Sequence, residues 1–160
     1  MQPRIIKSSE KNLIGKKLRM TFANNRTLEL WQSFMPRRKE IRSNLSSELF
    51  SIQVYPSSFD FADFSLYTEF EKWAAIEVHD FKTIPGGMET FTLPGGLYAV
   101  FHYKGLSTET EIFRYIFGTW LPGSDYILDN RPHFEILGEK YRNNDPNSEE
   151  QIWIPVKLKG

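Results

Sequence analysis

The order of the periodic segments constrains the fold of this chain more than any other feature. From Lys16 to Phe22 apolar residues alternate with polar ones, which is typical of a half-buried strand. An amphipathic helical stripe follows, and then two further strand-like segments, 49–55 and 69–78. The same succession of strand, helix, strand and strand returns between residues 97 and 157. Two βαββ modules predict an α+β domain: an antiparallel-rich sheet with both helices on one face and a central groove between the modules.

The helix signals are local. Thr27 is predicted to cap the first helix, and Pro36 is predicted to interrupt it. The second helix is predicted to begin at Ser107 or Thr108, because Thr108 and Glu111 fit a capping box. Apolar residues at helical spacing then continue to Trp120, all on one predicted face.

Composition excludes several classes of protein. The 160 residues favour one domain over 1–160, with halves at about 13–80 and 88–157. The chain has no cysteine, so it has no disulfide and no thiolate site. The formal net charge of zero argues against nucleic acid as the main partner. The three histidines lack metal-ligand spacing and no phosphate loop occurs, so we expect neither a metal nor a cofactor. No apolar run is long enough to span a membrane and no signal peptide is evident, which predicts a cytoplasmic protein.

Three segments carry a resemblance to a known family. GKKLRMTF with the following LELWQSF, then LPGGLYAVFHYKG, and finally HFEILGEKYRNNDPNSEEQIWIPVK resemble the GyrI-like effector-binding domains. These small-molecule-binding domains also occur at the C-termini of AraC-type and MerR-type regulators. The resemblance covers roughly residues 13–157 and implies a duplicated βαββ fold with an aromatic pocket between the halves. It also implies an acidic residue at the pocket floor, and Glu135 occupies the matching position.

Glu135 lies inside a predicted strand, on one face with His133 and Leu137, while Phe134 and Ile136 share the other face. If Phe134 and Ile136 pack under the helices, Glu135 lies on the helix-free face. It is then either a solvated residue of an open sheet or the floor of the pocket. Burial would raise the pKa of a carboxyl group in an aromatic pocket, and a cationic ligand would offset that cost. Each well-placed ring would add about 0.5–2 kcal/mol of cation–π attraction.

Eight aromatic residues are candidate walls of this pocket, with core packing as the alternative for each. They are Trp153, Trp73, Tyr103, Trp31, Phe34, Tyr115, Trp120 and Tyr67. Glu149 and Glu150 resemble a solvated turn, although one of them could act as a second carboxylate beside Glu135.

The leading functional prediction is a binding module for hydrophobic ligands, cationic or aromatic, in drug or toxin resistance or in transcriptional regulation. One alternative is a small-molecule hydrolase in which Glu135 is catalytic and activates water. A second alternative is a protein-interaction inhibitor that resembles the gyrase inhibitors. We expect no direct contact with nucleic acid, since no helix-turn-helix is expected before the first strand, and none with membranes. A homodimer through the sheet edges, or a regulator or gyrase partner, stays open.

Overall fold

The computed structural model describes residues 2–56, 65–106, 111–142 and 145–160. Within these ranges lie two α-helices, α1 (Thr27–Phe34) and α2 (Glu111–Tyr115). The nine strands are β1 (Arg4–Ser8), β2 (Lys11–Met20), β3 (Leu49–Val54), β4 (Phe70–Glu77), β5 (Glu89–Leu93), β6 (Gly96–Lys104), β7 (Tyr126–Leu128), β8 (His133–Leu137) and β9 (Glu149–Leu158).

The strands form one sheet in the order β1-β6-β9-β8-β3-β4-β2-β5, and β7 pairs with β9 beside that path. The pairings are antiparallel. The α+β prediction with an antiparallel sheet and two helices is therefore confirmed. The order β8-β9-β6 in one half corresponds to β3-β4-β2 in the other, and the halves meet where β3 pairs with β8. The duplication itself stays a prediction.

Two strands were missed by the sequence patterns, and one is longer than predicted. β1 has adjacent isoleucines between charged residues, so it lacks a period of two, and its pairing with β6 makes it a strand. β7 has only three residues, too few to show a period. β2 begins at Lys11, before the predicted start, because its first half pairs with β5 as well as β4.

The first helix differs from prediction at its start. Thr27 is the first helical residue rather than the N-cap, and Arg26, in the cap position, makes no side-chain cap bond. Asn25 instead accepts a hydrogen bond from the Thr27 backbone N–H at 2.9 Å. The predicted interruption at Pro36 is confirmed, since α1 gives way to a 3-10 segment, Met35–Glu40.

The second helix changes pitch soon after it begins. α2 continues as a π-helical turn, Ile116–Trp120, and the turn ends at the last residue of the predicted apolar face. The predicted apolar face stays together: Ile116 is fully buried, and Trp120 packs edge to face at 5.3 Å on Phe101 of the same cluster. The predicted start at 107–108 lies outside the described residues. The sequence also predicts a loop over 56–66 and a polar turn over 143–148, of which residues 57–64 and 143–144 lie outside the described residues as well.

Both helices cover the same face of the sheet. In register across four strands lie Ala74 of β4, Ser51 of β3, Glu135 of β8 and Ile152 of β9. Ala74 belongs to the apolar cluster beneath α1, and Ile152 belongs to the cluster beneath α2. Since register partners point to the same side, Glu135 lies on the helix face, between the two covered halves.

The opposite face holds a third cluster, rich in aromatic side chains. Phe134 and Ile136 belong to it, so our premise that they pack under the helices is wrong. Phe134 stacks between Phe50 at 5.8 Å and Trp153 at 5.1 Å. Burying each such ring contributes roughly 1.5–3 kcal/mol, so this face also stabilises the sheet.

Candidate functional site

A row of polar side chains interrupts the apolar helix face at its centre. Glu135 and Ser51 are register partners across the β8–β3 pair. The next row along the strands places His133 beside Gln53, and Gln53 beside Lys72 of β4. These residues have even spacing along their strands, so they share the face of Glu135. The gap between the two apolar clusters is therefore lined by groups that can ionise or form hydrogen bonds.

Glu135 has a carboxylate oxygen that is buried without a hydrogen-bond partner among the described residues. Part of the residue reaches the surface, but its Oε2 atom is shielded from solvent and has no hydrogen-bond partner among the described residues. Burial raises the pKa of this carboxyl group, while the charge of Lys72 and a hydrogen bond from Gln53 act in the opposite direction. A buried carboxylate oxygen without a partner is energetically costly.

Glu150 is a second carboxylate of the same site. It lies on the helix face of β9, two residues from Ile152, the register partner of Glu135. Burial and the charge of Glu135 raise the pKa of Glu150 to about 7, while Lys72 lowers it. Glu149 points elsewhere: it is 2.6 Å from His102 Nε2 and 3.9 Å from Lys140 Nζ, and the hydrogen bond with His102 lowers its pKa.

Lys72 is the cation that faces both carboxylates. Its Nζ donates a hydrogen bond to Thr27 Oγ1 at 3.2 Å, which ties β4 to the start of α1. Burial lowers the pKa of Lys72, and the charges of Glu135 and Glu150 oppose that shift. The site thus combines two carboxyl groups with one ammonium group.

Aromatic rings close one end of the site. Tyr55, directly after β3, meets His133 edge to face with 5.1 Å between ring centroids, and Phe117 lies 6.1 Å from the same imidazole. Tyr55 also contacts Phe70 at 5.5 Å. Burial and the nearby Glu135 charge raise the pKa of the Tyr55 hydroxyl above its ordinary value. Burial, with the charge of Arg131, lowers the pKa of His133 to about 3, so the imidazole is neutral at physiological pH.

A surface depression of about 310 Å³ opens beside these rings. Its lining residues are Val54, Tyr55, Leu128, Asp129, Asn130, Arg131, Pro132 and His133. Tyr55 and His133 therefore border both the depression and the polar row.

Comparison with known proteins decides the family. The model of the GyrI-like small molecule binding domain matches residues 1–157. This chain belongs to the GyrI-like family. Transcriptional regulator BrlR of Pseudomonas aeruginosa strain PAO1 is 27% identical to it over 158 residues, which are 98% of this chain and 56% of BrlR. The chain thus spans about half the length of this curated relative.

Solved structures share the fold at low identity. SAV2435 bound to tetraphenylphosphonium is 18% identical and superposes with a TM-score of 0.68, covering 98% of this chain and 94% of that one. The C-terminal domain of EcmrR is 15% identical with a TM-score of 0.67, covering 99% and 98%. This GyrI-like chain is related to the effector-binding domains of transcription regulators.

Two predicted walls lie on the wrong side of the GyrI-like sheet. Trp73 and Trp153 belong to the aromatic cluster on the helix-free face, so their predicted place beside Glu135 is wrong. Their indole N–H groups donate to Glu71 at 2.7 Å and to Gln151 at 3.0 Å. Successive side chains of a strand point to opposite faces of the sheet. Trp153 pairs with Phe134 and Trp73 pairs with Ile52, so both tryptophans point away from the face of Glu135.

The other predicted aromatics are dispersed. Phe34 is the fully buried last residue of α1, and Trp31 packs edge to face on it at 6.0 Å. Tyr115 and Trp120 line a separate depression of about 430 Å³ beside the N-terminal residues. Tyr67 is 78% exposed.

Tyr103 is the predicted aromatic that the register places beside the site. It pairs with Glu150 across β6 and β9, and its hydroxyl donates to the Leu106 carbonyl at 2.8 Å.

Sequence reasoning missed Lys72, Tyr55 and Phe117. The parity of the LFSIQVY segment places Tyr55 with Ser51 and Gln53, but only the β3–β8 pairing identifies that face as the face of Glu135. No group of three or more His, Cys, Asp or Glu in the described ranges could hold a metal ion. Of the helices in these ranges, none has the length and apolar character needed to cross a membrane.

Proposed function

We propose that this chain binds an organic cation with a large apolar surface, and that the charge of the ligand pairs with Glu135 between the two helix-covered halves. The observation that carries the proposal is the shielded Oε2 atom of Glu135, which lacks a hydrogen-bond partner within the described part of the chain. Such an oxygen is costly to bury, and a ligand cation would offset the cost.

The balance of charge in the site supports a cationic ligand. Glu135 and Glu150 carry one negative charge more than Lys72 can neutralise when all three groups are ionised. The neighbouring His133 and Tyr55 are neutral at physiological pH. A ligand with a single positive charge would bring the site to neutrality.

The aromatic rings at the end of the site support an apolar ligand. Tyr55, Phe117 and the neutral His133 offer ring faces and edges around the polar row. Ligand sites are mostly apolar with a few placed polar groups, and rings attract cations by about 0.5–2 kcal/mol each. Tetraphenylphosphonium, bound in the SAV2435 structure, has this combination of rings and charge.

The likeness to BrlR suggests the setting in which binding is used. We propose that the chain acts as an effector-binding module, in transcriptional regulation or in resistance to toxic cations.

A second function is favoured by one observation, the adjacency of two carboxyl groups with raised pKa. Such a pair can act as a general acid and a general base. Glu135 would then activate water against an electrophilic ligand, and turnover would distinguish this hydrolase from a binding module.

The test compares two probes of similar shape and different charge. Isothermal titration calorimetry measures the affinity of methyltriphenylphosphonium and of neutral triphenylphosphine oxide for the wild type, Glu135→Gln and Glu149→Gln. We expect the wild type and Glu149→Gln to prefer the cation, and Glu135→Gln to lose that preference by about tenfold or more. Glu149 is the matched control because the same charge is removed outside the site. Equal affinity of the wild type for both probes would overturn the proposal.

A further inference from the structure

Glu135 and Glu150 are diagonal neighbours on adjacent strands. Glu135 pairs with Ile152, and Glu150 lies two residues away on the same face of β9. Diagonal neighbours in an antiparallel pair are roughly 7–8 Å apart at the backbone, within reach of two glutamate side chains. Each carboxyl group responds to the charge of Lys72, and the charge of Glu135 also acts on Glu150.

The other groups that face this pair do not supply a compensating positive charge. From β8 comes His133, which is neutral at physiological pH, and from β3 come Gln53 and the adjacent Tyr55. β6 contributes Tyr103 opposite Glu150. Thr27 of α1 is bonded to Lys72, and the ring of Phe117 from the π turn lies against His133. Among the described residues that face the pair, Lys72 therefore supplies the positive charge that acts on both carboxyl groups.

We propose that Glu150 and Glu135 together hold one proton while the site is empty, and that an organic cation displaces this proton to solvent when it binds. The site would thus exchange one proton for one cation, and Glu150 would be the group that loses the proton. On release, the carboxyl O–H bond breaks, the electron pair stays on the carboxylate, and water or buffer accepts the proton. The inference rests on the proposed function, because it concerns the same ligand site.

The electrostatics of the empty site agree with this exchange. Burial and Glu135 raise the pKa of Glu150 to about 7, so a substantial fraction of Glu150 is protonated near neutral pH. A cation in the site stabilises the ionised form of both carboxyl groups. Below the pKa of the empty site the affinity should therefore rise by about tenfold per pH unit, and well above it the affinity should be constant.

The experiment measures protons released as tetraphenylphosphonium binds. Calorimetric titrations at about pH 6 and about pH 9 are repeated in buffers of different ionisation enthalpy, which yields the number of protons transferred to buffer. Wild type and Glu149→Gln should release close to one proton per cation at the lower pH and close to none at the higher pH. Glu150→Gln should bind without releasing a proton. Its thermal unfolding, compared with the wild type, shows whether the variant is folded.

A second measurement needs no ligand. Carboxyl-carbon NMR of glutamate-labelled, empty protein should show one group that titrates near neutral pH and disappears in Glu150→Gln. Cation binding without proton release at the lower pH would overturn the exchange and leave the proposed function standing. No binding of the cation at either pH would overturn the proposed function. Absence of a titrating carboxyl group near neutral pH would overturn the exchange whichever way the calorimetry turned out.

Discussion

Lys72 and Glu135 lie diagonally across β3 on the helix side of the sheet, and each opposes the effect of burial on the pKa of the other. The lysine is held from its far side by Thr27 at the start of α1. A charged row thus runs from the first helix across the centre of the sheet to Glu150 on β9. Buried charges of this kind are poor stabilisers, so their presence is better explained by binding than by stability.

Removing the lysine charge should strengthen cation binding. Lys72→Met keeps an unbranched side chain of similar length and removes the positive charge that competes with the ligand for both carboxylates. We expect the affinity for tetraphenylphosphonium at about pH 9 to increase several-fold, as measured by calorimetry. Lys82→Met, a change at an exposed lysine, is the control. Weaker binding by Lys72→Met would contradict a direct electrostatic role for the site.

The two faces of the sheet should respond differently to loss of a ring. Phe117→Ala removes a ring next to His133 and should lower affinity for tetraphenylphosphonium by about twofold to thirtyfold. Trp153→Phe changes the opposite face, so it should leave that affinity unchanged while lowering the free energy of unfolding. Isothermal titration calorimetry measures the affinity, and urea unfolding measures the free energy of unfolding. If Trp153→Phe alone weakened binding, the assigned face would be wrong.

Glu150 should make stability depend on pH with an unusual sign. The pKa of this acid is raised from an ordinary value of 4.5 to about 7, so the folded state binds more protons than the unfolded state between these values. Its contribution is complete below about pH 4.5 and is lost as pH rises through 7. Glu150→Gln should therefore gain stability relative to wild type as pH rises from 5 to 8, by at most about 3 kcal/mol. Urea unfolding at several pH values measures this difference, and an unchanged difference would contradict the assigned burial.

His133 should contribute in the opposite direction. Its pKa is lowered from 6.5 to about 3, so the unfolded state binds more protons between these values and stability is lost as pH falls below 6.5. His133→Gln should flatten this acid limb of the stability curve. The exposed His79 provides the control variant, His79→Gln. The acid limb, measured by urea unfolding, should keep its slope in the control.

Any side chain at position 96 should lower the free energy of unfolding. The φ of Gly96 is +145°, and a Cβ there would lie 2.7 Å from Arg131 Cζ. That guanidinium donates to the carbonyls of Leu97 at 2.6 Å and Val156 at 3.1 Å, and lies 4.5 Å from the Tyr98 ring centroid. Gly96→Ala should cost about 1–3 kcal/mol in the free energy of unfolding. Gly86→Ala, where a Cβ meets nothing within 4 Å, should cost less, and equal costs would contradict this account.

The sequence predicted the parts of the fold that depend on local pattern. Alternation identified β3, β4, β6, β8 and β9, and the parity of Glu135 relative to Phe134 was assigned correctly. The face that the helices cover depends on tertiary packing, so it cannot be predicted from the alternation of side chains along a strand or from secondary-structure propensity. For that reason Trp73 and Trp153 were assigned to the pocket although they pack on the opposite face.

The residues missed at the site have the same explanation. Lys72 is a polar residue of an alternating strand, and the sequence around it does not distinguish it from Lys17, which is exposed to solvent on the neighbouring strand. Glu149 and Glu150 are adjacent and chemically identical, and only the β9 register separates the one paired with His102 from the one inside the site. The resemblance to the GyrI-like family points to Glu135 but to none of its neighbours.

The pairing of β3 with β8 joins the halves of the chain, and Glu135 lies on that junction. Neither half alone contains Ser51, Lys72 and Glu135, so the site forms only after distant parts of the chain have come together. Under the proposed function, a cation bound there would contact both halves and stabilise their association by mass action. Such a ligand would act as a non-covalent crosslink, and fragments cut in the loop before β5 should reassemble more tightly in its presence.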